Sequence, residues 1–175
     1  MQLPFESHEP ALADDVFVAP GAVVIGDVTA GAGTSFWYNV VVRGDVCPIR
    51  FGARINVQDL SMIHVTSDEA PCIVGDDVTI GHRAILHGCT VEQGCLIGMG
   101  AIVLDHAVIG AESLIGAGAL VTPRTVIPPR SLVVGSPARV KRTLRDDEVA
   151  NLYTSARHYV ALAARHRAAV EGLVE

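Results

Sequence analysis

Three of the seven histidines, His64, His82 and His87, stand where their imidazoles could bind a divalent metal. His64 follows Ile63, His87 follows Leu86, and His82 lies two places after Ile80 in the string GHRAILHG. A lone histidine on a β surface is usually solvated or hydrogen-bonded, but three on adjacent repeats carry more weight. Three neutral imidazoles with a fourth position open are the donor set of catalytic zinc; a structural zinc normally has a fourth protein ligand, often a thiolate. Cys89, two residues past His87, is the rival ligand, because i and i+2 of a strand point to one side. Imidazole also accepts iron or cobalt, so residue types alone leave Zn2+, Fe2+ and Co2+ open.

A six-residue repeat must position these side chains. An aliphatic residue recurs at every sixth position from Val91 through Ile97, Val103, Ile109, Ile115, Val121 and Ile127 to Val133. A second run in another phase is Val74, Ile80 and Leu86, and an earlier one is Val18, Val24, Ala30, Phe36 and Val42. Six fits neither the 3.6 of a helix nor the 2 of a flat strand. It fits short strands joined by tight corners, three to a coil, with coils stacked at roughly 4.8 Å into a solenoid that shares one core. An antiparallel β-sandwich does not explain eight residues in unbroken six-residue steps.

The histidines then have two arrangements. Ile63 and Val74 are eleven apart, one short of two repeats, and the polar stretch TSDEAPC lies between them. If part of it protrudes as a loop, His64 and His87 share a face one coil apart. If it is a regular face, His64 stacks on His82, eighteen residues on. In both cases His82 and His87 lie on neighbouring faces, separated by five strand residues or roughly 16 Å. That is too far for one ion bound at about 2.0–2.1 Å by each imidazole. A second subunit is therefore expected to bring the missing histidine, and a threefold assembly would make three equivalent sites.

The expected organisation is a β-helix with an N-terminal lead-in over 1–137, then a linker and C-terminal helix over 138–175. Val149, Leu152, Tyr153, Ala156, Tyr159, Val160 and Ala163 share one face of a helix from Asp146 to about Arg167. Asp146 and Asp147 sit where acids favour a helix start. This helix should pack along the outside of the β-helix, and residues 172–175 should fray. Half of the 175 residues are apolar but only 5% are aromatic, so aliphatic side chains must fill the core. The net charge of −6 gives nucleic-acid binding no electrostatic support. No run of 18 uncharged apolar residues suggests a membrane span. Four cysteines with no Cys-x-x-Cys pair, and no signal-like N-terminus, lead us to expect a cytoplasmic protein with reduced thiols.

Five strings carry a family resemblance: WYNVVVRGD (37–45), INVQDLSMIHV (55–65), VTIGHRAILHGC (78–89), LIGMGAIVLD (96–105) and VVGSPARVKR (133–142). Together they resemble the γ-class carbonic anhydrases over most of the chain, from about Val16 to Tyr159. The resemblance implies a left-handed parallel β-helix, an exception to the usual crossover hand, and a homotrimer with one metal per interface. It implies ligands at His64 and His87 of one chain and His82 of its neighbour, which agrees with the loop arrangement. Arg43 and Asp45 match an intersubunit salt bridge, which serves as trimer glue rather than direct chemistry. Gln58 matches a residue that hydrogen-bonds solvent at the metal, and Asn56 and Asp59 match neighbours that support the site. Tyr159 resembles a tyrosine of the C-terminal helix that approaches the pocket in short members.

There are two departures. Val46 stands where the archetype has a proton-shuttling glutamate, and the loop after His64 is short, with only Asp68 and Glu69 as acids. The expected reaction is zinc-dependent, reversible hydration of CO2 to bicarbonate. Alternatives are a metal-binding homologue with weak or different hydrolytic chemistry such as thioester cleavage, a hexapeptide acyltransferase sharing the fold, and a scaffold subunit.

Overall fold

The computed structural model of the chain describes residues 1–172, so the fraying expected over 172–175 lies, past Gly172, outside the described residues. The chain winds into a parallel β-solenoid of about seven turns closed by one helix, consistent with the left-handed hexapeptide form. One face stacks Phe17–Val18, Ser35–Phe36, Asn56–Val57, Thr79–Ile80, Leu96–Ile97, Leu114–Ile115 and Ser131–Val134. The next stacks Met62–His64, Ile85–His87, Ile102–Val103 and Leu120–Val121 onto the first half of the long strand Val41–Phe51. The third stacks Cys72–Val74, Thr90–Val91, Val108–Ile109 and Val126–Ile127 onto its second half. Every ladder between coils is parallel; the final pair, Ser131–Val134 with Arg139–Thr143, is antiparallel and ends the winding.

All eight aliphatic residues from Val91 to Val133 are buried, as are Val74, Ile80 and Leu86. Val18 is only partly buried because its coil is the first and has no strand pair on its outer side. The phase changes in the repeat have local causes. Register partners Val57 and Ile80 are 23 residues apart, where 18 would make one coil, because the segment around the Thr66–Ala70 bridge protrudes. Leu86 and Val91 are five apart instead of six, because the corner at Gly88 is short. Gly88 has φ of +52°, and a Cβ there would collide with the Asp105 carboxylate and with Ala70.

The helix Asp146–Glu171 lies along the first face, burying Val149, Leu152, Ala156 and Ala163, while Tyr153, Tyr159 and Val160 are half-buried. Its start is fixed electrostatically. The Arg142 guanidinium, then the Arg145 backbone N–H, hold the Glu148 carboxyl down to about 2. Farther along, His166 Nδ1 is 2.9 Å from the Tyr38 hydroxyl, and its ring packs edge-on to Trp37. No helix among the described residues is long and apolar enough to cross a membrane.

The fold gives a sharp contrast between inward and outward positions. Ile97→Ala, in the fully buried row, is expected to lower unfolding free energy by about 2–5 kcal/mol. Val126→Ala, whose side chain faces outward, should change it by less than about 0.5 kcal/mol. Urea unfolding followed by circular dichroism measures both.

Candidate metal centre

His64 and His87 are register partners in adjacent coils, both at the last position of a three-residue strand on the same face. The loop arrangement is thus the one the chain adopts: five extra residues carry the backbone out and back, and His64 stacks on His87 rather than on His82. Their ring centroids are 5.1 Å apart, and His64 Nδ1 is 3.1 Å from His87 Nε2.

The outer nitrogens decide the chemistry of the inner ones. His87 Nδ1 donates to Asp105 Oδ1 at 2.7 Å, and His64 Nε2 donates to Asp45 Oδ1 at 3.1 Å. An ionised carboxylate only accepts, so the nitrogen facing it carries the proton. Two bare lone pairs, on His64 Nδ1 and His87 Nε2, then face each other. Such a pair is repulsive unless a proton or a cation sits between them. Two nitrogens bound to one tetrahedral zinc would be about 3.3 Å apart, so the pair fits the ion in spacing as well as in polarity.

His82 stands apart, at the corner leaving the first face, half-exposed. Its Nδ1 lies 2.9 Å from Asp59 Oδ2, an ion-pair contact, and Nε2 is the nitrogen away from that carboxylate. Each of the three imidazoles therefore has one nitrogen against an aspartate, hydrogen-bonded to it in His64 and His87, and the other turned away from it, the pattern in which a carboxylate orients a histidine toward a metal. Among the described residues no three His, Cys, Asp or Glu side chains converge into a metal-binding group within one chain.

The other site residues divide between the two halves. Arg43 is ion-paired within its own chain to Asp45. Burial works against the Asp45 carboxylate, but hydrogen bonds from Arg43 and His64 outweigh it and hold the group below its ordinary range. On the other half, Gln58, His82 and Tyr159 line a cavity of about 380 Å³ with Thr79, Met99, Leu114 and Ser155. Asn56 is buried and accepts from Gln58 Nε2 at 3.1 Å. Tyr159 packs edge-on to Trp37, and burial, then the Asp59 charge, raises its hydroxyl above the ordinary value.

Cys89 is not at the site. The positive φ at Gly88 turns the chain after His87, so Cys89 is buried in the core, where a hydrogen bond with Cys72 and burial push its thiol well up. The alternation that would set it beside His87 ends with the strand. Asp105 and Thr79 were missed in the sequence. Asp105 is eighteen residues after His87, one coil, and Thr79 is 23 after Asn56, the same coil-plus-loop step that joins His64 to His87. Those spacings were the available signal.

Comparison with known proteins follows the same lines. The hexapeptide-repeat family described as bacterial transferase hexapeptide (six repeats) matches residues 88–123. Gamma carbonic anhydrase 1, mitochondrial, of Arabidopsis thaliana is 47% identical over 164 residues, 91% of this chain. The match spans only 60% of that plant protein's length. The carbonic anhydrase of Geobacillus kaustophilus is 43% identical over 160 residues, covering 91% of this chain and 87% of its own. A Bacillus cereus crystal structure, provisionally named an acetyltransferase, superposes with a TM-score of 0.93 at 40% identity, over 95% of this chain and 96% of that one.

The electrostatics predict a titration. Burial lowers the His64 pKa, while the Asp45 acceptor and charge pull it up. With its folded value depressed, His64 contributes no penalty above the unfolded value near 6.5 and costs stability as pH falls through the folded one. NMR of protein prepared without metal should give a His64 midpoint below about 6.5. Asp45→Asn should lower it further.

Proposed function

The chain belongs to the γ-class carbonic anhydrase family, and we propose that it is a zinc-dependent enzyme, assembled as a homotrimer, that hydrates CO2 reversibly to bicarbonate. The observation that carries this reading is the aspartate behind each histidine: Asp45 on His64, Asp59 on His82 and Asp105 on His87. Each carboxylate lies against one ring nitrogen and leaves the other available, which is what three ligands of one cation require.

His64 and His87 of one subunit and His82 of the next would hold the ion. An outward apolar ladder runs beside the first two, with Met62 and Ile85 exposed and Val41, Ile102 and Leu120 partly so. Covering it with a second copy would remove apolar surface from water at roughly 25 cal/mol per Å² and close the distance that one chain cannot. A bound zinc supplies Lewis acidity, bringing the pKa of a water from 15.7 to about 7. The chain's own residues do the rest. Gln58 hydrogen-bonds the reacting oxygen, the apolar lining from Leu96, Met99 and Leu114 accepts CO2, and Tyr159 closes the helix side. Arg43 holds Asp45, and through it the His64 ring. Proton exit falls to buffer or to groups such as Glu69 and Tyr159, because position 46 is valine.

A second reading, acyl transfer or thioester hydrolysis, draws on the transferase name of the Bacillus cereus relative and on a cavity of about 380 Å³, far larger than CO2. Turnover of acetyl-CoA without CO2 hydration would select it.

Metal analysis and stopped-flow CO2 hydration test the main reading. Purified protein should carry one zinc per chain, and His82→Ala and His87→Ala should each lose metal and activity. Refolding the two variants together should restore part of both, because a His82→Ala subunit still offers His64 and His87 to the intact His82 of its neighbour. No recovery on mixing would overturn the shared site, and metal with no hydration would overturn the reaction. Imidazole buffer should raise kcat, with little effect on kcat/KM, by replacing the carrier missing at Val46.

A further inference from the structure

We infer that Thr79 and Ser155 are positioning residues that hold the Gln58 amide in place at the cavity wall, an inference that rests on the cavity being the reaction site. Gln58 is 5% exposed and Asn56 and Thr79 less still. Gln58 Nε2 donates to Asn56 Oδ1 at 3.1 Å, and Asn56 Nδ2 donates to Thr79 Oγ1 at 2.9 Å. Thr79 Oγ1 in turn lies 3.5 Å from Ser155 Oγ on the helix. With Asn56 donating to it, the Thr79 hydroxyl has its own proton left for Ser155.

A primary amide has a donor end and an acceptor end, so the relay has a direction. In the observed direction Gln58 spends its NH2 inward and presents Oε1 to the cavity. An acceptor there holds a protonated oxygen by its hydrogen and leaves that oxygen's lone pairs free to attack an electrophilic carbon. Reversed, the relay would turn Nε2 outward, and a donor at that point would occupy a lone pair the attack needs. A hydroxyl both donates and accepts, so Thr79 and Ser155 do not set that direction; they hold Asn56, and through it the Gln58 amide, in place. The geometry behind it is register. Asn56 and Thr79 are partners on adjacent coils, which is why their short side chains meet. Ser155 and Tyr159, one helical turn apart, both line the cavity, so one placement of the helix sets both.

Gln58 is one of three glutamines, and Gln2 and Gln93 are exposed, so selective 15N-glutamine labelling resolves its side-chain amide. In folded protein prepared without metal, the Gln58 amide protons should exchange about tenfold slower than the other two. Thr79→Val should erase that protection and Thr79→Ser restore it. In zinc-loaded protein, Thr79→Val should lower kcat for CO2 hydration by about 10–100-fold at near-constant KM, and Thr79→Ser should recover it. Ser155→Ala should move both readouts the same way by less, and serves alone if Thr79→Val does not fold. Unchanged Gln58 exchange and kcat in a folded Thr79→Val or Ser155→Ala protein would overturn the inference. The expected exchange pattern in a wild-type protein that hydrates no CO2 would support the relay and reject the reaction.

Discussion

Everything in this molecule depends on the in-register stacking of one coil on the next. A parallel ladder brings residues of the same slot to the spacing of neighbouring strands, roughly 4.8 Å. Inward slots become a continuous aliphatic core from Val24 to Val133. Outward slots become columns of side chains, and a column is where two groups 23 residues apart in sequence, such as His64 and His87, acquire a shared chemistry. The protruding loop after Val65 sets that pairing. Without its five extra residues His64 would stack on His82 and the half-site would not exist.

The same stacking supplies the charges that tune the imidazoles. Asp105 reaches His87 from the next coil, and Asp45 reaches His64 from the coil before. Asp59 meets His82 across the neighbouring corner. The His64 and His87 imidazoles thus each have a fixed tautomer, so little reorganisation would be left for an ion that binds them. Because the facing nitrogens of His64 and His87 are both bare, their contact is unfavourable and a cation between them would relieve it.

The helix is the second positioning device. It is held by aromatic edges at Trp37, Tyr38 and His166 and by the Arg142–Glu148 pair at its start. Between these anchors Ser155 and Tyr159 are delivered to the cavity wall. Its placement is therefore part of the site's chemistry as well as of the fold's stability.

Much of this was legible in the sequence. The unbroken step from Val91 to Val133 gave the inward row, because a solenoid repeats one local environment and so repeats one residue class. The three histidines were recognisable by slot. Cys89 was not, since the alternation that ties i to i+2 stops at the left-handed corner of Gly88. Nor were Asp105 and Thr79, whose importance lies in a partner one coil away. The sequence by itself determined the repeat, the core and the candidate donors, for these follow from local periodicity and residue type. Only the tertiary structure decided that His64 faces His87, which nitrogen of each ring is free, and which end of Gln58 meets the cavity. Those depend on the length of each corner and loop, and so on register, which no single repeat contains.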